Sequence, residues 1–414
     1  MHDIHEPDGW ETRVKILWLG DGGCSTGFGR VTHSIGERLV LDYGHEMEVL
    51  AINHTGDWFP SQRDPSVGTP LKLFKTDRFV EGDSFGNSRI MEMVGRDPDV
   101  IIQLNDPNIT LTQLLMNKFD PKRVILTKPY VTYIPCDGYD LPPDWQGLTE
   151  VSSAVTMSKF GQASYPGSKL IYHGVDADTF WPVSEDRPIT TSNGKVLRSK
   201  QDCKRAIGIE PDKFMVLRVD TNSGRKDYGL SVKSLIPFMQ KHDDVVTWFH
   251  CKEFAPNGTN LPAVLSKYGE AMYDRFYFPD QRPSHTGWSD QDMNALFNAA
   301  DAFLSNSRGE GFGLTLAEAL MCRVPVVAQN VSSITEVVGP GGILLEPAAR
   351  LTVPSGEDVC LSDPEAFTAA LEQLYQSSKL RKSLGKAGHR HVVENFSWDE
   401  AAKAFDGLIR GLVT

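Results

Sequence analysis

Two doubly wound α/β domains, their strand ends facing a shared cleft, are predicted by three features of this 414-residue chain. Strand and helix signals alternate from end to end, the pattern of parallel sheets covered by helices. The first strand signal runs directly into a glycine-rich turn, and the alternation breaks once, at about residues 181–205, before a second series begins. A prior of about 150 residues per domain agrees with two large units.

Val14-Lys15-Ile16-Leu17-Trp18-Leu19 reads as the first strand. After the glycine turn, Phe28, Val31, Ile35 and Leu39 recur at three- and four-residue steps, the apolar stripe of a helix. Ser25 or Thr26 is placed to cap its start and Gly44 to stop it. Further strands are expected at 47–52, 100–104, 130–134, 154–157 and 170–172. The interrupting stretch carries Trp181-Pro182, Pro188 and Asn193-Gly194 among polar residues, and reads as a linker or surface excursion. The second series opens at Phe214-Met215-Val216-Leu217-Arg218-Val219 and continues with strands at 245–250, 275–278, 302–304, 324–328 and 343–345. This assigns 1–180 to a first domain and 181–397 to a second, with about 398–414 returning to the first. Ligands of such sheets bind beyond the carboxyl ends of the strands.

Composition narrows the function. A formal net charge of −12 disfavours sequence-blind binding to nucleic acid or anionic lipid, and requires any dianionic ligand to be held by a local cationic site. Six cysteines, Cys24, Cys136, Cys203, Cys251, Cys322 and Cys360, are scattered without a C-x-x-C pair, which reads as reduced thiols rather than a zinc or disulfide framework. The opening Met1-His2-Asp3-Ile4-His5-Glu6-Pro7 is polar and acidic, unlike a secretory signal, and no apolar run approaches the about 18 residues of a membrane span. A cytoplasmic location is expected.

The segment from Ser305 to Glu318 carries the most chemical information. It follows a strand and opens a helix. Gly311 and Gly313 let the backbone approach a ligand closely, and the N–H groups at a helix start favour an anion such as phosphate. Glu310 lies in the loop and Glu318 in the helix, so two carboxylates flank that site from different sides. Carboxylates accept hydrogen bonds from vicinal hydroxyls, which suits a sugar and a ribose.

Glu310-Gly311-Phe312-Gly313-Leu314, with Glu318-Ala319 three residues on, resembles the E-x7-E motif of glycosyltransferase family 4, the retaining enzymes of the GT-B fold. Asn298-Ala299-Ala300-Asp301, Val324-Pro325-Val326-Val327-Ala328, Thr335-Glu336-Val337-Val338, Gly341-Gly342-Ile343-Leu344 and Phe396-Ser397-Trp398 fit that family in order and spacing. Earlier in the chain, Gly27-Phe28-Gly29, Gly44-His45-Glu46 and His173-Gly174-Val175-Asp176 with Phe180-x-Pro182 fit too. The resemblance implies that Glu310 meets hydroxyls of a donor sugar, Glu318 the ribose of its nucleotide, and amides from Phe312 to Thr315 the diphosphate. It implies that the last helix crosses back to the first domain. The implied donor is a UDP- or GDP-linked sugar bound as substrate, with no cofactor, and the implied activity is that of a retaining hexosyltransferase.

Gly224-Arg225-Lys226-Asp227-Tyr228 follows the first strand of the second series. A departing nucleotide diphosphate gains negative charge as the glycosidic bond breaks, and fixed cations there lower the barrier. Lys226 and Arg225 are the local candidates. The family places an arginine a few residues before its lysine; Thr221 stands five before Lys226 here and Arg218 eight before, so Arg225 and Arg218 remain alternatives.

In the first half, Gly20-Asp21-Gly22-Gly23-Cys24-Ser25-Thr26-Gly27-Phe28-Gly29 can approach a donor phosphate or the acceptor, with Gly27 the candidate contact. As a dinucleotide fingerprint it fails, because Thr32 stands where a third glycine belongs, and a dehydrogenase is disfavoured. Many relatives carry a histidine near the donor sugar where this chain reads Gln103-Leu104-Asn105-Asp106, so that role does not transfer. Asp106, Asp137 and His54 are the candidates to orient an acceptor hydroxyl. Asp176-Ala177-Asp178 matches D-x-D superficially, but its context resembles the interdomain hinge and no metal is expected. A glycan, a protein side chain, a small molecule or a modified base is an open acceptor. The rival activities are a nucleotide-sugar epimerase, a phosphorylase, or a non-catalytic nucleotide-sugar binding protein on the same scaffold.

Overall fold

The computed structural model describes residues 13–414, apart from 55, 57, 77–82, 84, 120–126 and 280–286. Its first half holds strands β1 (Lys15–Asp21), β2 (Glu46–Ile52), β3 (Lys72–Lys75), β4 (Val100–Leu104), β5 (Tyr130–Ile134), β6 (Ser153–Thr156) and β7 (Lys169–Leu170). They form one sheet in the order β3-β2-β1-β4-β5-β6-β7, every pair parallel. Two short hairpin strands follow, β8 (Ile189–Thr190) and β9 (Val196–Leu197). The second half holds β10 (Phe214–Val219), β11 (Val245–His250), β12 (Phe276–Tyr277), β13 (Ala302–Ser305), β14 (Val326–Gln329) and β15 (Gly342–Leu345). Their order, β12-β11-β10-β13-β14-β15, again reverses beside the first strand of the series. That reversal point is where ligands of doubly wound sheets bind.

The strands read as near-continuous apolar runs because helices cover both faces. All residues of β4, β5 and β10 are buried. Thr26 caps the first helix (Gly27–Leu41) by accepting a bond from the Gly29 N–H at 3.0 Å. The expected strand at 170–172 is shorter, since Tyr172 turns its hydroxyl to the second half and donates to Glu336 Oε2 at 2.7 Å. The stretch expected as a linker or surface excursion carries regular elements. The β8–β9 hairpin and the helix Lys200–Ala206 dock on the second half, where Ser192 N–H reaches Asp292 Oδ1 at 3.1 Å and Lys204 Nζ reaches Asp301 Oδ2 at 2.7 Å.

The last helix (Trp398–Val413) lies on the first half, as expected. His45 Nε2 pairs with Asp406 Oδ1 at 2.7 Å and Arg38 Nε with Asp399 Oδ1 at 2.6 Å. At the crossing, Val175 N–H donates to the Phe396 carbonyl at 3.2 Å. His173 is buried there among the rings of Tyr133, Phe312 and Trp398, with centroids 5.3, 5.1 and 5.6 Å away. One hydrophobic cluster, running from Trp18 and Ile35 through Phe312 and Leu320 to Phe405, therefore spans both halves.

Sequence periodicity did not foresee the strands β16 (Ala349–Thr352) and β17 (Asp358–Leu361), an antiparallel hairpin between β15 and the next helix. β16 is fully exposed and has no apolar stripe to betray it. The hairpin reaches the first half: Tyr139 and Asp358 exchange two backbone bonds of 2.8 Å, and Arg350 lies over the Tyr139 ring at 4.0 Å.

Candidate active site

β13 delivers the turn that carries Glu310 to the head of the helix Leu314–Met321. Gly313 caps that helix with φ of 97°, a left-handed conformation that side chains resist. Gly313, Leu314 and Thr315 are half-buried at this head, where the first N–H groups of a helix lack an intrahelical acceptor. Two serines pin the turn. The Glu310 N–H donates to Ser332 Oγ at 2.9 Å, and the Glu310 carbonyl accepts from Ser333 Oγ at 2.7 Å. Phe312 points into the core beside His173 and Phe396, so it packs the turn onto the interdomain cluster.

The turn after β10 brings the cations. Lys226 Nζ lies 2.6 Å from Glu310 Oε1 and 2.7 Å from Asp220 Oδ1. Arg225 Nη1 lies 3.2 Å from Glu310 Oε2, and its Nε 3.1 Å from Asp137 Oδ2 of the first half. Arg225 also donates to the Gly309 carbonyl. Arg218 is fully buried over the Tyr228 ring at 4.1 Å, and donates to Ser231 Oγ and the Lys226 carbonyl. Between the two arginine alternatives, Arg225 reaches the carboxylate and Arg218 braces the lysine backbone.

Charge follows from this arrangement. Burial pushes the Glu310 carboxyl up, but Lys226 and Arg225 outweigh it and hold the group well below the usual carboxylate range. Glu318 has no such escort. Burial raises its carboxyl to about 7, with Arg30 opposing the rise and Asp290 adding to it. Asp137 is raised to about 6 by burial, against the pull of Arg225 and with the repulsion of Glu310.

The first half closes on this turn. A Cβ added at Gly309 would lie 1.8 Å from the Asp137 carbonyl, and one at Gly311 would lie 2.7 Å from Pro135 Cβ. Gly27 stands opposite the helix head, its added Cβ 3.8 Å from Leu314 Cδ1. Asp106 and Asp137 follow the adjacent strands β4 and β5, so they share the cleft edge of the sheet. His54 is buried, 6% exposed, against Gly23 of the glycine turn and lies outside the ion-pair chain from Asp137 to Glu310.

Sequence reasoning missed Asp220, Arg30, Asp290 and the two serines. Asp220 closes β10 six residues before Lys226, a signal visible only once the turn geometry is known. Arg30 follows the Gly27-Phe28-Gly29 signature on the first helix and crosses to the second half, which no spacing in the chain announces. Among the described residues no cluster of three or more His, Cys, Asp or Glu could hold a metal ion, and no helix is long and apolar enough to cross a membrane.

Residues 284–391, which include the Glu310 turn and the Glu318 helix, match the family described as "Glycosyl transferases group 1". The match places this segment's likeness to group 1 glycosyl transferases on the turn and helix that carry both carboxylates. Curated proteins similar to the chain include the MMP alpha-(1->4)-mannosyltransferase of Mycolicibacterium hassiacum, 36% identical over 117 residues, which are 28% of this chain and 26% of that protein. The D-inositol 3-phosphate glycosyltransferase of Salinispora tropica is 29% identical over 240 residues, 57% of this chain and 44% of the relative. The aligned part thus spans less than half the length of these relatives. Among solved structures, a glycosyltransferase from Rickettsia africae superposes with a TM-score of 0.67 at 14% identity, covering 98% of this chain and all of that one. Anabaena Alr3699/HepE in complex with UDP-glucose superposes with a TM-score of 0.68 at 16% identity, covering 97% of this chain. These superpositions include both halves, so the fold is that of GT-B glycosyltransferases and the matched segment lies within its second half.

Proposed function

We propose that the chain is a glycosyltransferase that moves a hexose from a UDP- or GDP-linked donor to an acceptor hydroxyl with retention of configuration. The observation that carries this reading is the convergence of Lys226 and Arg225 on Glu310 at the head of the Leu314–Met321 helix, with Glu318 in its second turn. A diphosphate at the helix head accepts the free N–H groups and draws the two cations from Glu310. Glu310 is then left ionised beside the sugar, where it accepts hydrogen bonds from hydroxyls.

As the bond from the anomeric carbon to the β-phosphate oxygen breaks, that oxygen takes the electron pair and Lys226 and Arg225 stabilise the new charge. Their positions are fixed in advance by Asp220 and Asp137. The anomeric carbon becomes oxocarbenium-like, the acceptor oxygen attacks it, and the leaving phosphate takes the acceptor proton. Asp106 and Asp137 line the first-half side of the cleft and are the groups we assign to orient the acceptor. The location we expect is cytoplasmic, and the acceptor class stays with the four alternatives above. The relatives and neighbours named above support the donor class, since they include a mannosyltransferase and a protein holding UDP-glucose.

The test is product stereochemistry. Incubation with UDP- and GDP-hexoses and an acceptor panel should give a new glycosidic signal with the donor's anomeric configuration by proton NMR, undiminished by excess chelator. An inverted product, or conversion of the donor without any acceptor, overturns the reading.

A further inference from the structure

The charge of Glu318, on the second half, is tuned by a cation that the first half supplies. Arg30 rises from the first helix and crosses to the second half, where its terminal nitrogens grip the Asp290 carboxylate, Nη1 at 3.4 Å from Oδ2 and Nη2 on Oδ1. Its Nε is left 3.9 Å from Glu318 Oε1. The guanidinium lies over the Phe180 ring at 5.7 Å, where the chain passes between the halves. Among the described residues, no other cation stands within ion-pair distance of Glu318, and its carboxylate oxygens accept no hydrogen bond.

The spacing matters. A fork seated directly on Glu318 would occupy the oxygens that a ribose needs. Here the fork is spent on Asp290, and Glu318 receives the charge while its acceptor positions remain available. A lysine, a point charge without the fork, serves the charge but not the grip on Asp290.

We propose that Arg30 is a positioning residue that couples closure of the cleft to capture of the donor's ribose. With the first helix seated on the second half, Arg30 favours the carboxylate form of Glu318, which accepts bonds from two vicinal hydroxyls; when the halves part, Arg30 leaves with the first. This rests on the donor-site reading above. The charged and titratable groups facing Glu318 are Arg30 from the first helix, Asp290 from the helix Asp290–Ala299 and Cys322 one turn further along its own helix. The Cys322 thiol is raised far by burial and stays neutral. The helix Ser378–Asn395, packed against the Glu318 helix, meets it through His389 at the Met321 carbonyl. Asp176 from the hinge acts on Arg30.

The test is calorimetric binding of UDP and GDP to the full chain between pH 5.5 and 8.5. Affinity of the wild type rises with pH through about 7, where Glu318 ionises. In Arg30→Gln the midpoint moves up by about one pH unit, which makes binding about fivefold weaker at pH 7 and restores it towards pH 8.5. Arg30→Lys keeps the wild-type midpoint. Asp290→Asn moves it down, a sign that mere loosening of the contact does not produce. Glu318→Gln, and the 2′,3′-dideoxy nucleotides on the wild type, give pH-indifferent weak binding. An unshifted midpoint in Arg30→Gln, or a loss equal at every pH, overturns the role of Arg30 while leaving the donor site intact. A wild type that binds neither nucleotide, or a Glu318→Gln that binds as well as wild type, brings down the donor site itself and this proposal with it.

Discussion

Lys226 and Glu310, 84 residues apart in sequence, form a 2.6 Å ion pair at the head of a helix. Glu310 is buried, so the pair is not a surface contact worth a few tenths of a kcal/mol. Lys226→Met strips the cation from the leaving group and from Glu310 together. We expect kcat to fall about 100- to 1000-fold, as when a single charge-stabilising donor is removed elsewhere. Initial rates with saturating donor check this, and a kcat within twofold of wild type refutes it.

His173 reports on pH. Burial among aromatic rings lowers its imidazole to about 3. An unfolded chain takes up that proton near 6.5, so the unfolded state binds more protons throughout the window between. The stabilisation is full above about pH 6.5 and is lost as pH falls towards 3, by about 1.4 kcal/mol per pH unit. The melting temperature of the wild type should therefore fall relative to that of His173→Phe from pH 7.5 to pH 5. Parallel curves would show that the ring is not buried neutral.

Gly309 measures how tightly the halves close. The Cβ of Gly309→Ala would fall 1.8 Å from the Asp137 carbonyl, a backbone atom that no rotamer change relieves. The variant should still hold the nucleotide diphosphate, about fivefold more weakly at pH 7, since the helix head is untouched but Arg30 is drawn away from Glu318. Transfer should drop more than tenfold, and small-angle scattering should show a larger radius of gyration. Wild-type scattering with wild-type turnover would contradict the contact.

Glu336 ties the second half to the first from a different face. It accepts the Lys159 and Phe160 N–H groups at 3.0 Å, capping the helix Lys159–Ser164, as well as the Tyr172 hydroxyl. Glu336→Ala should cost about 1–3 kcal/mol of stability, the range for bonds to a charged group, without changing nucleotide affinity. Urea titration followed by tryptophan fluorescence checks the first part and calorimetry the second.

Much of this was legible in the residues. The two sheets announced themselves because parallel strands buried on both faces are written as apolar runs, as in Val100–Leu104 and Phe214–Val219. The placement of Glu310 and Glu318 at a helix head was readable from glycines and carboxylates at fixed local spacing, and that of Lys226 from a cationic turn after the first strand of the second series. Arg30 was not, since its partners Asp290 and Glu318 lie 260 and 288 residues away and depend on how two domains meet. β16 hid for another reason: a strand exposed at every position has no hydrophobic period to read. The reading of 181–205 as a linker or surface excursion did not foresee its elements, because hairpin strands of two residues, Ile189–Thr190 and Val196–Leu197, are too short to carry a pattern.

The β16–β17 hairpin, finally, changes the timing of the molecule. Its Asp358 is joined by backbone bonds to Tyr139, while Asp137, two residues before, is in contact with Gly309. Under the proposed function, we expect opening of this pairing to accompany entry of the nucleotide sugar and departure of the product. Rates of such loop events fall in the microsecond-to-millisecond range and often outlast the chemistry they enclose. Turnover is then expected to slow with solvent viscosity, and a shortened hairpin to speed release and raise donor hydrolysis.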